Sequence, residues 1–399
     1  MNRGLAGEPG VYAVVALLVL AGALQQPLLL LIAVVLAVAL GLTALWRRWC
    51  LRGIEYRRSL SQDRVFRGET VELRVSATNR KVLPVPWLEV EDELPEELRV
   101  LTGRAHPSYK TGRLVLPNLF SLRWYERVTR RYLIRCPERG YFGFGPVRLR
   151  SGDIFGFFGD ERTDDRLDHV LVYPQVVPLE DLGLPSREPF GGSRTPQWLL
   201  EDPLRVAGVR DYVPGDSLRR IHWKASARSR DLQVKLQEPS TMLDVLIFLN
   251  VATVRPEWAG TIPELLEEAV TTAASVASHV FSQGYRVGLC ANTNVLGSDQ
   301  PVRLPPARDP DQMARILEAL AKVIAFPTIS MEQLLVREAR NLPWGSTVLL
   351  VAAATTEGGM AALLRMKKAG HRVALLHVGF QTLPLGAEHV TVHRVAVGQ

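Results

Sequence analysis

Gly68-Glu69-Thr70-Val71-Glu72-Leu73-Arg74-Val75-Ser76-Ala77-Thr78-Asn79-Arg80 alternates apolar and polar residues with a period of two. Successive side chains of a strand point to opposite faces, so Val71, Leu73 and Val75 share a buried face while Glu72, Arg74 and Ser76 face water. Gly68-Glu69 and Asn79-Arg80 are turn formers at its ends, and Pro84, Pro86 and Pro95 break the following stretch. Tyr132, Ile134 and Cys136 repeat the alternation. Short alternating strands separated by such turns predict an all-β, sandwich-like domain over residues 51–165. Within it, Gly140-Tyr141-Phe142-Gly143-Phe144-Gly145-Pro146 leads into Val147-Arg148-Leu149-Arg150. A phosphate loop would lead into a helix, and a strand pattern follows instead, so these glycines read as turn formers.

Downstream the period changes. Residues 243–251 are almost wholly apolar around Asp244, and 262–283 reads as an amphipathic helix with Glu264, Glu267 and Glu268 near its start, where the helix dipole favours acids. Apolar strand patterns at 285–291, 347–353 and 372–378 alternate with helical patterns at 311–325, 331–340 and 358–369, and 389–397 reads as a closing strand. This alternation predicts an α/β, Rossmann-type domain over 241–399, a parallel sheet covered by helices. Residues 166–240 between the two domains read as a proline-rich, basic connecting segment.

Upstream, residues 9–46 contain no Asp, Glu, Lys or Arg and are interrupted by Gln25-Gln26-Pro27. The expectation is a two-helix transmembrane hairpin within 1–50, with arms at about 10–25 and 27–46, since roughly 20 residues span a hydrocarbon core of roughly 30 Å. Arg47, Arg48, Arg52, Arg57 and Arg58 crowd behind the second arm, and Trp46 and Trp49 suit an interfacial belt. Positive residues stay inside. The predicted localisation is therefore the cell membrane, multi-pass, with the lipid bilayer as a partner and the soluble domains cytoplasmic. A cleaved signal peptide competes, through Arg3 and Ala21-Gly22-Ala23.

The 399 residues, 47% apolar and 22% charged, exclude wholesale disorder, and the net charge of +7 suits an acidic protein face, anionic lipid or nucleic acid. Cys50, Cys136 and Cys290 form neither a C-x-x-C pair nor an even-numbered framework, which reads as reduced thiols.

The densest polar cluster is Arg210-Asp211-Tyr212-Val213-Pro214-Gly215-Asp216-Ser217-Leu218-Arg219-Arg220-Ile221-His222-Trp223-Lys224-Ala225-Ser226-Ala227-Arg228. Pro214-Gly215-Asp216 suits a turn, because proline presets φ and glycine permits a positive φ next to it. Two readings of the charges stand side by side. Asp211, Asp216 and Asp231 pair with Arg210, Arg219, Arg220, Lys224 and Arg228 as an internal brace, or these bases with Tyr212, Gly215, His222 and Trp223 form a partner surface anchored on the tryptophan.

This stretch resembles the signature of the domain of unknown function 58 family. Arg139-Gly140-Tyr141, Phe144-Gly145-Pro146 and Ser151-Gly152-Asp153-Ile154-Phe155-Gly156 are similar to that family's second pattern. The resemblance implies an N-terminal membrane hairpin, a β-rich middle and a C-terminal domain similar to a von Willebrand factor A domain. It further implies a bacterial, MoxR-associated setting with partners: a MoxR-type AAA ATPase and a transglutaminase-like membrane protein. No enzymatic activity or cofactor comes with the family. Von Willebrand A domains commonly bind a divalent metal through Asp-x-Ser-x-Ser, and the matching positions here are Asn250, Ala252 and Val254. A metal site needs several oxygen ligands and this loop retains at most one or two, so no metal is expected.

The functional expectation is a membrane-tethered cytoplasmic adaptor or scaffold working with the ATPase in assembly or maturation of an envelope complex. One alternative is a metal-dependent or hydrolytic enzyme in a cleft lined by Asp216, His222 and Asn250; Asp216, His222 and Ser226 have the residue types of a hydrolase, but there is no G-x-S-x-G elbow. Another is a nucleic-acid-binding membrane protein, for which basic residues are present but no recognised motif.

Overall fold

The structure, a computed structural model, describes residues 7–152, 159–184, 201–213, 221–229, 231–239, 244–256, 259–297 and 300–395. The chain divides into two units, Met1–Gln175 and Val176–Gln399.

The first unit opens with α1 (Gly7–Leu24) and α2 (Pro27–Cys50), joined at Gln25, whose φ of 51° makes the tight reversal. Val14, Ala21 and Ala33 are buried, and Val19, Leu28 and Leu31 are exposed. Among the described residues no helix is long and apolar enough to cross a membrane. This corrects the expected two-helix transmembrane hairpin and, with it, the multi-pass membrane localisation. The uncharged part of α1, 10–24, rises only about 22 Å, short of a hydrocarbon core of roughly 30 Å. The last turn of α2 is committed to protein: Cys50 and Leu51 lie in the β core with Trp46 packed against it, and Lys81 Nζ donates to the terminal carbonyls of Trp49 and Cys50.

The strands that follow are β1 (Ile54–Leu60), β2 (Arg64–Phe66), β3 (Thr70–Asn79), β4 (Val85–Pro95), β5 (Arg99–Val100), β6 (His106–Pro107), β7 (Arg113–Leu122), β8 (Arg127–Arg135), β9 (Gly140–Phe144), β10 (Val147–Gly152), β11 (Gly159–Asp164) and β12 (Asp168–Tyr173). They form sheets in the orders β1-β3-β8-β5, β11-β10-β4-β7-β6 and β2-β12-β9, antiparallel except for β2 beside β12. Val71, Leu73 and Val75 of β3 meet Leu88 and Val90 of β4, Phe120 of β7, Ile134 of β8 and Val170 and Val172 of β12 in one core.

The second unit contains β13 (Glu201–Asp211), α3 (Trp223–Ser229), β14 (Gln233–Pro239), β15 (Asp244–Leu249), α4 (Pro263–Ser282), β16 (Arg286–Asn294), β17 (Pro301–Ala307), α5 (Gln312–Ala321), α6 (Met331–Ala339), β18 (Thr347–Ala352), α7 (Glu357–Lys368), β19 (Arg372–Val378) and β20 (Thr391–Val395). Its sheet runs β17-β16-β15-β18-β19-β20, parallel throughout except for β17. Leu246, Phe248, Val348 and Leu350 pack with Met331 and Leu335 of α6 and Met360 and Leu363 of α7, while Val245, Ile247 and Leu249 alternate onto the opposite side. Ser330 and Thr356 start α6 and α7 by accepting from Gln333 N and Gly359 N, at 3.2 and 3.1 Å.

Three features depart from the sequence pattern. Helix α5 stops at Ala321 because Lys322 O accepts from Leu296 N and Ile324 O from Thr293 Oγ1, which draws the following residues into the rim of the sheet. Residues 387–389 form a 3-10 turn, so the last strand begins only at Thr391. Strand β17 escapes the sequence reading because Pro301, Pro305 and Pro306 argue against a strand, yet prolines are tolerated on the edge it occupies.

Candidate functional site

The signature segment folds back on itself as an antiparallel hairpin, β13 against β14, with α3 between them. A bridge between Ile221 and Val234, both buried, pins the base of α3 to β14. His222 is built into the start of the helix: its main-chain N–H donates to Gln233 O at 2.7 Å and its Nδ1 accepts from Ala225 N at 3.1 Å. Ser226 Oγ donates to His222 O at 3.1 Å and accepts from Gln233 N at 2.8 Å. The side chain of Gln233 then donates to Asp211 Oδ1 at 2.6 Å, and Tyr212 N donates to Leu232 O at 2.8 Å. Arg210 is exposed and donates to Asp211 O at 3.1 Å.

These contacts decide what the segment can do chemically. The ring nitrogen of His222 nearest its neighbours is occupied by a main-chain donor, and the Ser226 hydroxyl binds the carbonyl of His222, not its imidazole. A serine held in this way by two main-chain groups is a brace, and among the described residues no base is placed against its hydroxyl. Gly215, Asp216, Arg219 and Arg220 lie outside the described residues. Lys224 and Arg228 are exposed on α3, and Trp223 is 68% exposed. Gln233 carries only a weak signal in the sequence, a polar residue at the start of a strand pattern.

Asn250 lies elsewhere in the second unit, at the carboxyl end of β15, where the chain order of the sheet reverses and doubly wound folds hold their ligands. Here the crevice is laced across. Asn250 Nδ2 donates to Ala354 O beyond β18 at 2.8 Å, and its Oδ1 accepts from Ala252 N at 3.1 Å and Asn292 Nδ2 at 2.8 Å. Asn292 Oδ1 accepts in turn from Val251 N at 2.9 Å. Neither Ala252 nor Val254 offers a side-chain donor atom to a cation, and among the described residues no group of three or more His, Cys, Asp or Glu is placed to hold a metal. Further along the same edge, burial holds the His377 imidazole below its ordinary pKa, opposed by its hydrogen bond to Gln381 O at 2.9 Å. Gln381 Nε2 donates to Thr253 O at 2.8 Å and fastens this loop to the one after β15.

Residues 208–382 match the family model for DUF58, a protein of unknown function. That match begins inside β13 and ends in the loop after β19, so it takes in both the hairpin and the Asn250 crevice. The uncharacterized protein YeaD of Bacillus subtilis (strain 168) is 28% identical over 254 residues, 63% of this chain and 58% of that protein. The match thus spans less than two thirds of that relative's length. Among solved structures, a CARDB domain from Pyrococcus furiosus, crystallised with di-metal ions, is 15% identical over 30% of this chain and 89% of its own, with a TM-score of 0.21. A cohesin module from Clostridium perfringens is 10% identical over 30% of this chain and 96% of its own, also at 0.21. Scores this low carry no argument about fold or function.

Proposed function

We propose that this chain is a non-enzymatic adaptor or scaffold whose β13–α3–β14 hairpin docks a partner protein. The partner we infer is a MoxR-type AAA ATPase, acting with a transglutaminase-like protein in assembly or maturation of an envelope complex. The observation that carries this reading is the division of labour in the hairpin. His222, Ser226, Asp211 and Gln233 are engaged in bracing it, while Trp223, flanked by exposed Lys224 and Arg228, stands 68% exposed on a pinned backbone. An exposed tryptophan beside cations suits an interface anchor, since aromatic and basic side chains dominate binding energy while rigid placement lowers the ordering cost. The α/β unit is read in the same proposal as von Willebrand A-like with a degenerate ligand loop, on the strength of its sheet order and of Asn250 tying the crevice to Ala354.

The test uses the full chain and a purified MoxR-type ATPase, with and without ATP. Trp223→Ala combined with Lys224→Glu is expected to melt as the wild type does, since exposed charges are each worth only about 0–1 kcal/mol, and to lose association. Wild-type association is expected to weaken as salt shortens the screening length to about 8 Å. Binding that ignores both the double substitution and salt would overturn the assignment.

A further inference from the structure

In the first unit, a cleft of about 570 Å³ opens where the sandwich ends, between the two-residue strands β5 and β6. Each of these strands is the last of its sheet, so the cleft runs between two sheet edges. Leu98, Val100 and Leu114 line it with apolar surface, and Arg99, Arg104 and His106 supply basic groups against the single carboxylate of Glu96.

Two observations make this more than a gap at a domain edge. The first is that its basic side chains are unspent. Several other arginines of the unit are paired: Arg58 with Asp92 and Asp168, Arg148 with Glu91 and Glu161, Arg150 with Glu161. Among the described residues no ion pair or hydrogen bond engages the side chains of Arg99, Arg104 or His106. Arg99 lies directly across from Arg135 in the β5–β8 pairing, and like charges opposite one another in a sheet repel, so an anion placed there relieves a standing cost. The second is that the backbone carrying these cations is held. Leu101 N donates to Leu133 O at 2.8 Å and Leu133 N to Thr102 Oγ1 at 2.7 Å. Gly103, at φ +104°, lies so close on the Tyr132 ring that a Cβ would come within 2.8 Å of it. Arg99 and Arg104 therefore flank a fixed loop, which lowers the ordering cost of binding.

We propose that this cleft binds an extended acidic peptide segment, with carboxylates on Arg99 and Arg104 and an apolar side chain over Val100 and Leu114. A small inorganic anion would satisfy the cations but leave the apolar lining wet. An extended chain covers both and lies naturally along a sheet edge, the geometry of strand addition. The site is independent of the α3 surface, so either assignment stands or falls alone.

The probe is a fluorescein-labelled peptide of about eight alternating Glu and Leu residues, titrated against the full chain by anisotropy, with a Gln/Leu analogue and inorganic phosphate as comparators. Saturable binding is expected, weakened about tenfold or more by Arg99→Glu with Arg104→Glu or by the Gln/Leu exchange, and unchanged by Arg228→Glu on α3. Should the reversal variant fail to melt cooperatively, Arg99→Gln with Arg104→Gln takes its place, with the same direction expected. No saturable binding, equal affinity for the neutral peptide, or indifference to the arginine substitutions would overturn the site. Displacement by phosphate at the peptide's own concentration would overturn the peptide class in favour of a small anion.

Discussion

Asp92 is buried without solvent contact between the Tyr56 hydroxyl and Arg58 Nη1, each at 2.7 Å, and the Arg58 side chain is itself only 2% exposed. Arg58 Nε also meets Asp168 Oδ2 at 3.0 Å, and its Nη2 donates to Arg166 O. Gly145 makes this possible, since a Cβ there would lie 2.7 Å from both Arg58 Nη1 and Arg166 O. Burial pushes the Asp92 carboxyl up to about 6, against the pull of Arg58 and Tyr56 in the other direction. A carboxyl whose folded pKa lies above its unfolded value holds its proton better in the native state. Its contribution is therefore fully present below about pH 4 and is lost as pH rises through about 6. Arg58→Met leaves that carboxylate in the core with only Tyr56 beside it. The variant is expected to lose about 3–5 kcal/mol at pH 7.5 and to recover part of this near pH 5, as Asp92 takes up a proton. Urea unfolding at both pH values measures it, and an equal loss at the two would mean that Asp92 is not the group left stranded.

At the scale of elements, α3 is too short to persist by itself, because isolated helices below about 12–15 residues are marginal in water. Its seven residues are held by the Ser226 hydroxyl on β14 and by the His222 ring at its start. Ser226→Ala removes the acceptor of Gln233 N, at a cost of about 1–3 kcal/mol if that donor stays dry. Faster amide exchange is expected across 222–229 and at Gln233, with little change in the sheet of the second unit. Unchanged protection would show that the hydroxyl is incidental. Strand β16 makes the same kind of point about β17: a Cβ at Gly288 would sit 2.6 Å from Leu304 O and 2.7 Å from Pro306 N, so only a glycine there lets the proline-bearing edge strand approach.

Over the whole molecule, each unit carries its own hydrophobic core, one spanning three β-sheets and the other a helix-covered parallel sheet. A unit with its own core can fold alone. Residues 176–399 expressed by themselves are expected to melt cooperatively and to keep the near-ultraviolet signature of packed aromatics. A broad, non-cooperative transition would show that this core depends on the first unit.

Much of this was legible in the sequence, because strands and helices announce themselves in local periodicity. The alternation at 71–76 is a strand whose even and odd residues do part between core and water, and the apolar run around Asp244 is a buried strand of a parallel sheet. That Asn250 stands where the resemblance would put an acid was legible as well. What the sequence could not carry were pairings between distant residues: Asp244 with Arg286 across β15 and β16, Arg58 lying against Gly145, Asn250 reaching Ala354, and Gln233 completing the hairpin. The transmembrane reading of 9–46 failed for a related reason. Absence of charge marks an apolar helix, but how much of it is available to span a bilayer depends on which turns the rest of the chain claims, and here the end of α2 belongs to the β core. Local pattern is set by the backbone's own periods, whereas the partner of a buried charge or amide is whichever group the tertiary fold brings within hydrogen-bonding distance.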